Sequence, residues 1–214
     1  MIELARFTAV RGETLALLDS ASQAELDRRP APGRWSAGEV FDHLLLAEKI
    51  NRGELETLIE LARSGEPAVL RRSFADLDVS VAYIPKALLP LLEVPFTLGN
   101  LFVPAVMRDW LMRSRLVPAQ NPTIATPRPG RPAAELRADL EASIVRTQEL
   151  IEANADLDFR AMRHHHPLLG SNDGHGLLRF LALHEQRHQG QIREALDRCR
   201  KHQPATPTNT PATP

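Results

Sequence analysis

The sequence predicts an all-α protein: a four-helix bundle with a long, partly helical insertion, about residues 65–131, between the second and third long helices. Three observations lead there. Apolar residues recur at steps of three and four in four long segments. Capping boxes, in which a Ser and a Glu three residues on satisfy each other's backbone N–H groups, mark two helix starts. No segment carries the alternating apolar pattern of a strand that would compete with these helices.

Taken in order, Ile2, Phe7, Val10, Leu15 and Leu18 outline a first helix over residues 2–19. Ser22 and Glu25 form a capping box that opens a short helix, and RRPAPGRW then forces a loop through Pro30, Pro32 and Gly33. A second box, Ser36 and Glu39, starts a long helix running to about Arg63. Its apolar stripe is Val40, Leu44, Ala47, Ile50, Leu55, Leu58 and Leu61, and His43 lies on that stripe. Prolines from Pro67 to Pro129 punctuate the next region, where short helices are expected over about 84–92 and 100–115. A connection of that length suits a substrate wall, a lid or a dimer surface. A third long helix starts near Pro132, a residue favoured at the first helical position, with Leu136, Leu140, Ile144 and Ile151 as its stripe. The loop RHHHPLLGSNDGHG leads to a fourth, Leu177 to Arg200. Residues 1–200 read as one domain, and the Pro/Thr-rich tail 201–214 as disordered.

Composition narrows the function classes. Of 214 residues, 43% are hydrophobic and 25% charged, the balance of a globular chain, and the net charge of −1 lacks the footprint of a nucleic-acid binder. Cys199 is the single cysteine, so neither an internal disulfide nor a Cys-type zinc site is expected. The N-terminal stretch MIELARFTAVRGE carries charges too early for a signal peptide, so a cytoplasmic location is expected. The uncharged run Val94–Met107 is fourteen residues, short of the ~18–20 needed for a membrane span. The apolar stretch 84–116 exceeds what one bundle needs for its own core, which favours a homodimer.

The chemistry lies in the histidines. His184-Glu185-Gln186-Arg187-His188 fits H-E-x-x-H, the helical zinc signature of metalloproteases. The seam of that helix runs Leu177, Leu181, His184, His188, Ile192, Ala195 and Cys199, so both histidines face inward, one turn apart. A protease of this kind draws its third ligand from downstream. Here the Gly and His positions of the extended motif hold Gln191 and Glu194, and no later helix follows. A third ligand must come from upstream, and His43, on the inner stripe of another long helix, is the best placed. Three imidazoles leave a fourth position on zinc open for water or substrate, the mark of a catalytic site. Zn²⁺ is the first choice, while Ni²⁺ and Fe²⁺ also accept imidazole.

GRWSAGEVFDHLLLAE (33–48), HPLLG (166–170) and FLALHEQRHQGQI (180–192) together resemble the DinB-like superfamily. Its pattern runs W-S-x-x-E-x-x-x-H-L, then H-P-x-x-G, then H-x3-H-x2-Q-I. The resemblance covers most of residues 1–200. It implies a four-helix bundle with a divalent metal on three histidines, which match His43, His184 and His188 here. It also implies activities such as transfer of a low-molecular-weight thiol.

Other residues surround this core. Glu185 is a candidate general base, although it lies about 100° around the helix from His184. Glu39 and Asp42 are placed to hydrogen-bond a ligand's second nitrogen, and Gln191, one turn beyond His188, to orient a ligand or substrate. His166 is expected to fix entry into the last helix, and His175 to add a polar group at the site. His164 and His165 read as exposed loop. The function expected is a metal-dependent enzyme acting on a small molecule, most simply a thiol S-transferase. The alternatives are a metal-dependent hydrolase and a non-catalytic metal-binding or stress-response module.

Overall fold

The computed structural model describes residues 1–73, 125–166 and 170–201. Helices α1 (Ile2–Asp19), α2 (Gln23–Asp27) and α3 (Ala37–Ser64) precede a short strand β1 (Val69–Arg71). After the segment 74–124 come α4 (Ala133–Glu152), the strands β2 (Arg163–His166) and β3 (Gly170–Asn172), and α5 (Gly174–Lys201). Both capping boxes form: Ser22 with Glu25, and Ser36 with Glu39, each exchanging side-chain and backbone bonds. α3 ends at Gly65, whose φ of 79° is a left-handed conformation that favours glycine.

The four long helices form the bundle, and their directions follow from paired residues. α1 lies parallel to α5, with Arg11 against Glu185 and Leu4 near Leu177. α3 lies parallel to α4, with Asp42 tied to Arg131 at one end and Arg63 to Asp156 at the other. α1 packs on α4 and α5, and α3 packs on the same two, so α1 faces α3 across a diagonal and α4 faces α5 across the other. The chain therefore runs up, down, down, up. Because α3 and α4 point the same way, the connection between them must return along the bundle, a distance of about 40 Å for a 28-residue helix. What reads in sequence as an insertion is a crossover that the topology requires. The short helices expected at 84–92 and 100–115, the apolar stretch 84–116 and the tail from 202 onward lie outside the described residues.

The core has an apolar cluster at each end. One joins Leu18, Leu26, Phe41, Leu136 and Leu196, and the other Leu4, Leu58, Ile151, Phe159 and Leu178. Between them, Phe7, Val10, Ile144 and Leu181 meet a layer of buried charge. The fully buried Arg11 donates from Nε and Nη2 to the two oxygens of Glu185 at 2.8 Å each, and from Nη2 to Glu48 at 2.9 Å. Thr147 donates to the other oxygen of Glu48 at 2.8 Å. Burial alone would lower the Arg11 pKa, but attraction and hydrogen bonds from Glu185, then Glu48, outweigh it and raise it.

No strand pattern is legible in the sequence, yet three strands assemble in the order β1-β2-β3, with β1 parallel and β3 antiparallel to β2. Each is three or four residues long, too short for a detectable alternation. The sheet corrects the reading of His164 as exposed loop: in β2 it is 1% exposed, with Nε2 2.9 Å from Glu54 Oε2. Ile2, placed on the inner stripe of α1, is 85% exposed; the inward face is Leu4, Phe7, Arg11, Thr14 and Leu18.

Candidate metal centre

α3 delivers His43 and α5 delivers His184 and His188 to one point. One nitrogen from each ring lies within 4.8 Å of the others, and among the described residues no further His, Cys, Asp or Glu joins the group. Ring centroids are 4.8 Å apart for His43 and His188, 5.3 Å for His43 and His184, and 4.5 Å for His184 and His188. His43 and His188 are buried; His184 keeps part of its surface open. Trp35 packs on His43 at 5.0 Å and Phe180 on His184 at 5.6 Å, placing aromatic walls on two sides.

Hydrogen bonds decide which nitrogens are available. His43 Nδ1 lies 3.0 Å from the carbonyl oxygen of Ala125, which can only accept, so Nδ1 carries the proton. His43 Nε2 is then a lone-pair acceptor; it is buried and, among the described residues, has no hydrogen-bond partner. His188 Nδ1 pairs at 2.9 Å with Oε1 of Gln191, an acceptor, which likewise places the proton on Nδ1 and the lone pair on Nε2. Metal-binding histidines in general carry an outer partner of this kind on the second ring nitrogen. Burial holds the His43 pKa below its ordinary value, with Arg187 adding to the effect and the Ala125 bond opposing it. His184 is pushed well below by burial, then by His188, His43 and Arg187. Neutral imidazoles are the form that binds cations. Three converging imidazole donors, one of them a buried orphan, fit a divalent ion.

The other sequence candidates are placed as follows. Glu185 faces Arg11, which holds both its oxygens, and not the histidines. Glu39 serves its capping box and accepts from Arg29 at 2.5 Å and 3.0 Å. Asp42 is fully buried, and its partners are Arg128 and Arg131 rather than a ligand ring. Gln191 is on His188. His166 ends β2 beside His164, with ring centroids 6.2 Å apart, and burial and then the His164 charge lower its pKa to about 4. It belongs to the sheet end, where Glu54 lies eleven residues or about 16 Å along α3 from His43. His175 packs near Phe159, nine residues before His184, about 13 Å away along α5. Cys199 is buried, and burial raises its thiol pKa.

Sequence reasoning missed Arg11, Glu48, Ala125, Arg128 and Arg131. Arg11 had a signal, because Leu4, Phe7, Arg11, Thr14 and Leu18 repeat at steps of three and four. The others pair over long sequence separations that no local pattern reveals.

A family model, that of the DinB superfamily, matches residues 6–192. The chain belongs to the DinB superfamily. That span includes His43, His184, His188, all of α3 and α4 and the larger part of α1 and α5, so the helical fold and the three-histidine cluster lie inside the family match. No curated protein and no solved structure matches this DinB-superfamily chain. None of its described helices is long and apolar enough to cross a membrane.

Proposed function

We propose that this DinB-superfamily protein is a divalent-metal-dependent enzyme, with His43, His184 and His188 as ligands and transfer of a low-molecular-weight thiol as its reaction. The observation that carries it is the pair of outer hydrogen bonds, Ala125 on His43 and Gln191 on His188, beside a cluster in which one nitrogen of each of the three rings converges. A divalent ion lowers the pKa of a coordinated thiol or water, which supplies a nucleophile at neutral pH.

The chain's own residues do the rest. Ala125 and Gln191 fix the tautomers, Trp35 and Phe180 limit water access, and the part-open His184 marks the approach. Hydrolysis needs a carboxylate to move a proton from water. The three that the sequence places nearest, Glu39, Asp42 and Glu185, are each held by arginines. That favours thiol chemistry over the hydrolase alternative. The set of three described ligands favours an open site over a closed, non-catalytic one. A small-molecule substrate and a homodimer remain part of the proposal, as do Zn²⁺ as first choice and Ni²⁺ or Fe²⁺ as substitutes.

The test is metal content of untagged protein by mass spectrometry, for wild type beside His43→Ala and His188→Ala. About one metal per chain in wild type, lost in both variants, is expected, and a screen of small thiols against electrophiles then follows. Metal retained in His43→Ala but lost in His188→Ala would reject this ligand set.

A further inference from the structure

We propose that Asp42 is a positioning residue that sets the metal affinity of the centre by clamping the turn 125–131, whose backbone orients His43. This inference rests on the reading of the three histidines as a metal site. Asp42 is adjacent to His43 on α3, and its side chain is fully buried. Oδ2 accepts the backbone N–H of Arg128 at 2.7 Å. Oδ1 accepts from Arg128 Nη2 at 3.0 Å and from Arg131 Nη1 at 2.9 Å.

The other end of the clamp is α4. Arg131, whose side chain is 10% exposed, also donates from Nη2 to Asp139 at 2.5 Å. One arginine thus ties the turn to two helices. Three residues before Arg128, the buried Ala125 presents its carbonyl to His43 Nδ1 at 3.0 Å. That bond selects the tautomer that leaves the lone pair on Nε2. A backbone carbonyl keeps its aim only while its segment is held, and the bonds on Asp42 hold it. Releasing the clamp removes no ligand. It frees His43 to rotate and to exchange its proton between nitrogens, and each lost restraint is a cost charged to metal binding. By linkage, the metal must stabilise the docked turn by the same factor that the turn stabilises the metal.

The experiment is a Zn²⁺ competition titration against a chromophoric chelator on the full chain. Wild type is compared with Asp42→Ala, Arg131→Met, their double, and Arg63→Ala. The last cuts an exposed clamp onto Asn154 and Asp156 at the opposite end of α3. Outer partners of metal-bound histidines typically contribute about 10–100-fold in affinity. The expected result is a loss of about tenfold in Asp42→Ala and in Arg131→Met, no larger in the double, with Arg63→Ala within about twofold. Nitrogen NMR of the metal-free protein gives a readout that mere stability would not move. Wild-type His43 should hold its proton on Nδ1, and Asp42→Ala should show a mixture. In wild type, Zn²⁺ should also slow hydrogen exchange at the Arg128 amide.

Equal zinc affinity and an unchanged tautomer in Asp42→Ala overturn the inference and leave the metal reading standing. So does an equal loss in Arg63→Ala, which would indicate general destabilisation. If Asp42→Ala fails to fold, Arg131→Met decides from the turn's side. Wild type that binds no Zn²⁺ overturns the metal reading itself.

Discussion

Replacing Arg11 by Met should be among the most damaging single changes available to this bundle, and its size follows from the structure. Met keeps much of the aliphatic volume but removes the cation that two carboxylates share. Glu48 and Glu185 are 1% and 2% exposed, and water does not replace the bonds at 2.8–2.9 Å. The Leu140 carbonyl loses its donor as well. Breaking a buried pair by removing one partner costs about 3–5 kcal/mol. Glu185 loses both of its described bonds, while Glu48 keeps Thr147 at 2.8 Å and Arg52 at 3.9 Å, so a loss inside that range is expected. A domain of this kind is stable by about 5–15 kcal/mol, so the variant should sit near the threshold of folding. The assay is urea unfolding of metal-free protein followed by circular dichroism. At about 2–4 °C per kcal/mol for a chain of this size, a fall in Tm of roughly 10 °C or more should accompany it. The companion variant Arg11→Met/Glu48→Leu/Glu185→Leu removes the stranded charges, and such apolar replacements are often close to neutral. It should recover most of the loss. A loss below about 1 kcal/mol in Arg11→Met, or a triple variant no better than the single, would refute the argument that charge burial sets the cost.

Two further outcomes are expected. Gln191→Leu removes the acceptor on His188 Nδ1 and should weaken Zn²⁺ by about 10–100-fold while Gln191→Glu retains it; equal affinities in the chelator competition would dismiss Gln191 as an orienting group. Stability of the metal-free protein should fall as pH drops from about 6.5 towards 4. His166 titrates near 4 when folded and near 6.5 when unfolded, so over that interval the unfolded chain binds more protons and stability rises with pH. His43 and His184 are shifted in the same direction and steepen the slope. The His166 share is on the order of 3 kcal/mol, and His166→Asn should remove it; a wild-type urea midpoint that is flat or rises on acidification contradicts the assignment.

What the sequence made legible is what local chemistry determines. The two capping boxes act over three residues, and both sit where Ser22 and Ser36 placed them. The seam of α5 put His184 and His188 inward because a helix has one period, and that period is written in Leu177, Leu181 and Ile192. His43 came from the same logic on α3, and the structure brings its ring to the other two. What stayed hidden is decided at a distance. An arginine at position 11 looks solvent-exposed until Glu48 and Glu185 arrive from two other helices. Asp42 looked like a partner for a neighbouring imidazole, but Arg128 and Arg131, nearly ninety residues on, claim it. His164 looked exposed because its strand is four residues long and its cover is Glu54.

The diagonal placement of sequence neighbours bears on how the chain can assemble. Among the described residues α1 and α3 barely touch, and neither do α4 and α5, so α1 and α3 pack mainly on the two long helices of the other half of the chain. No helical hairpin can form early and wait. During synthesis, α1 and α3 emerge before the long helices they share as packing partners, the first of which, α4, begins some seventy residues after Ser64. At roughly 5–20 residues per second that is an interval of several seconds in which the nascent chain needs shielding. The same geometry makes the protein a natural candidate for fragment complementation. Cut within the crossover, neither piece should hold its helices alone, yet each carries the surfaces the other lacks.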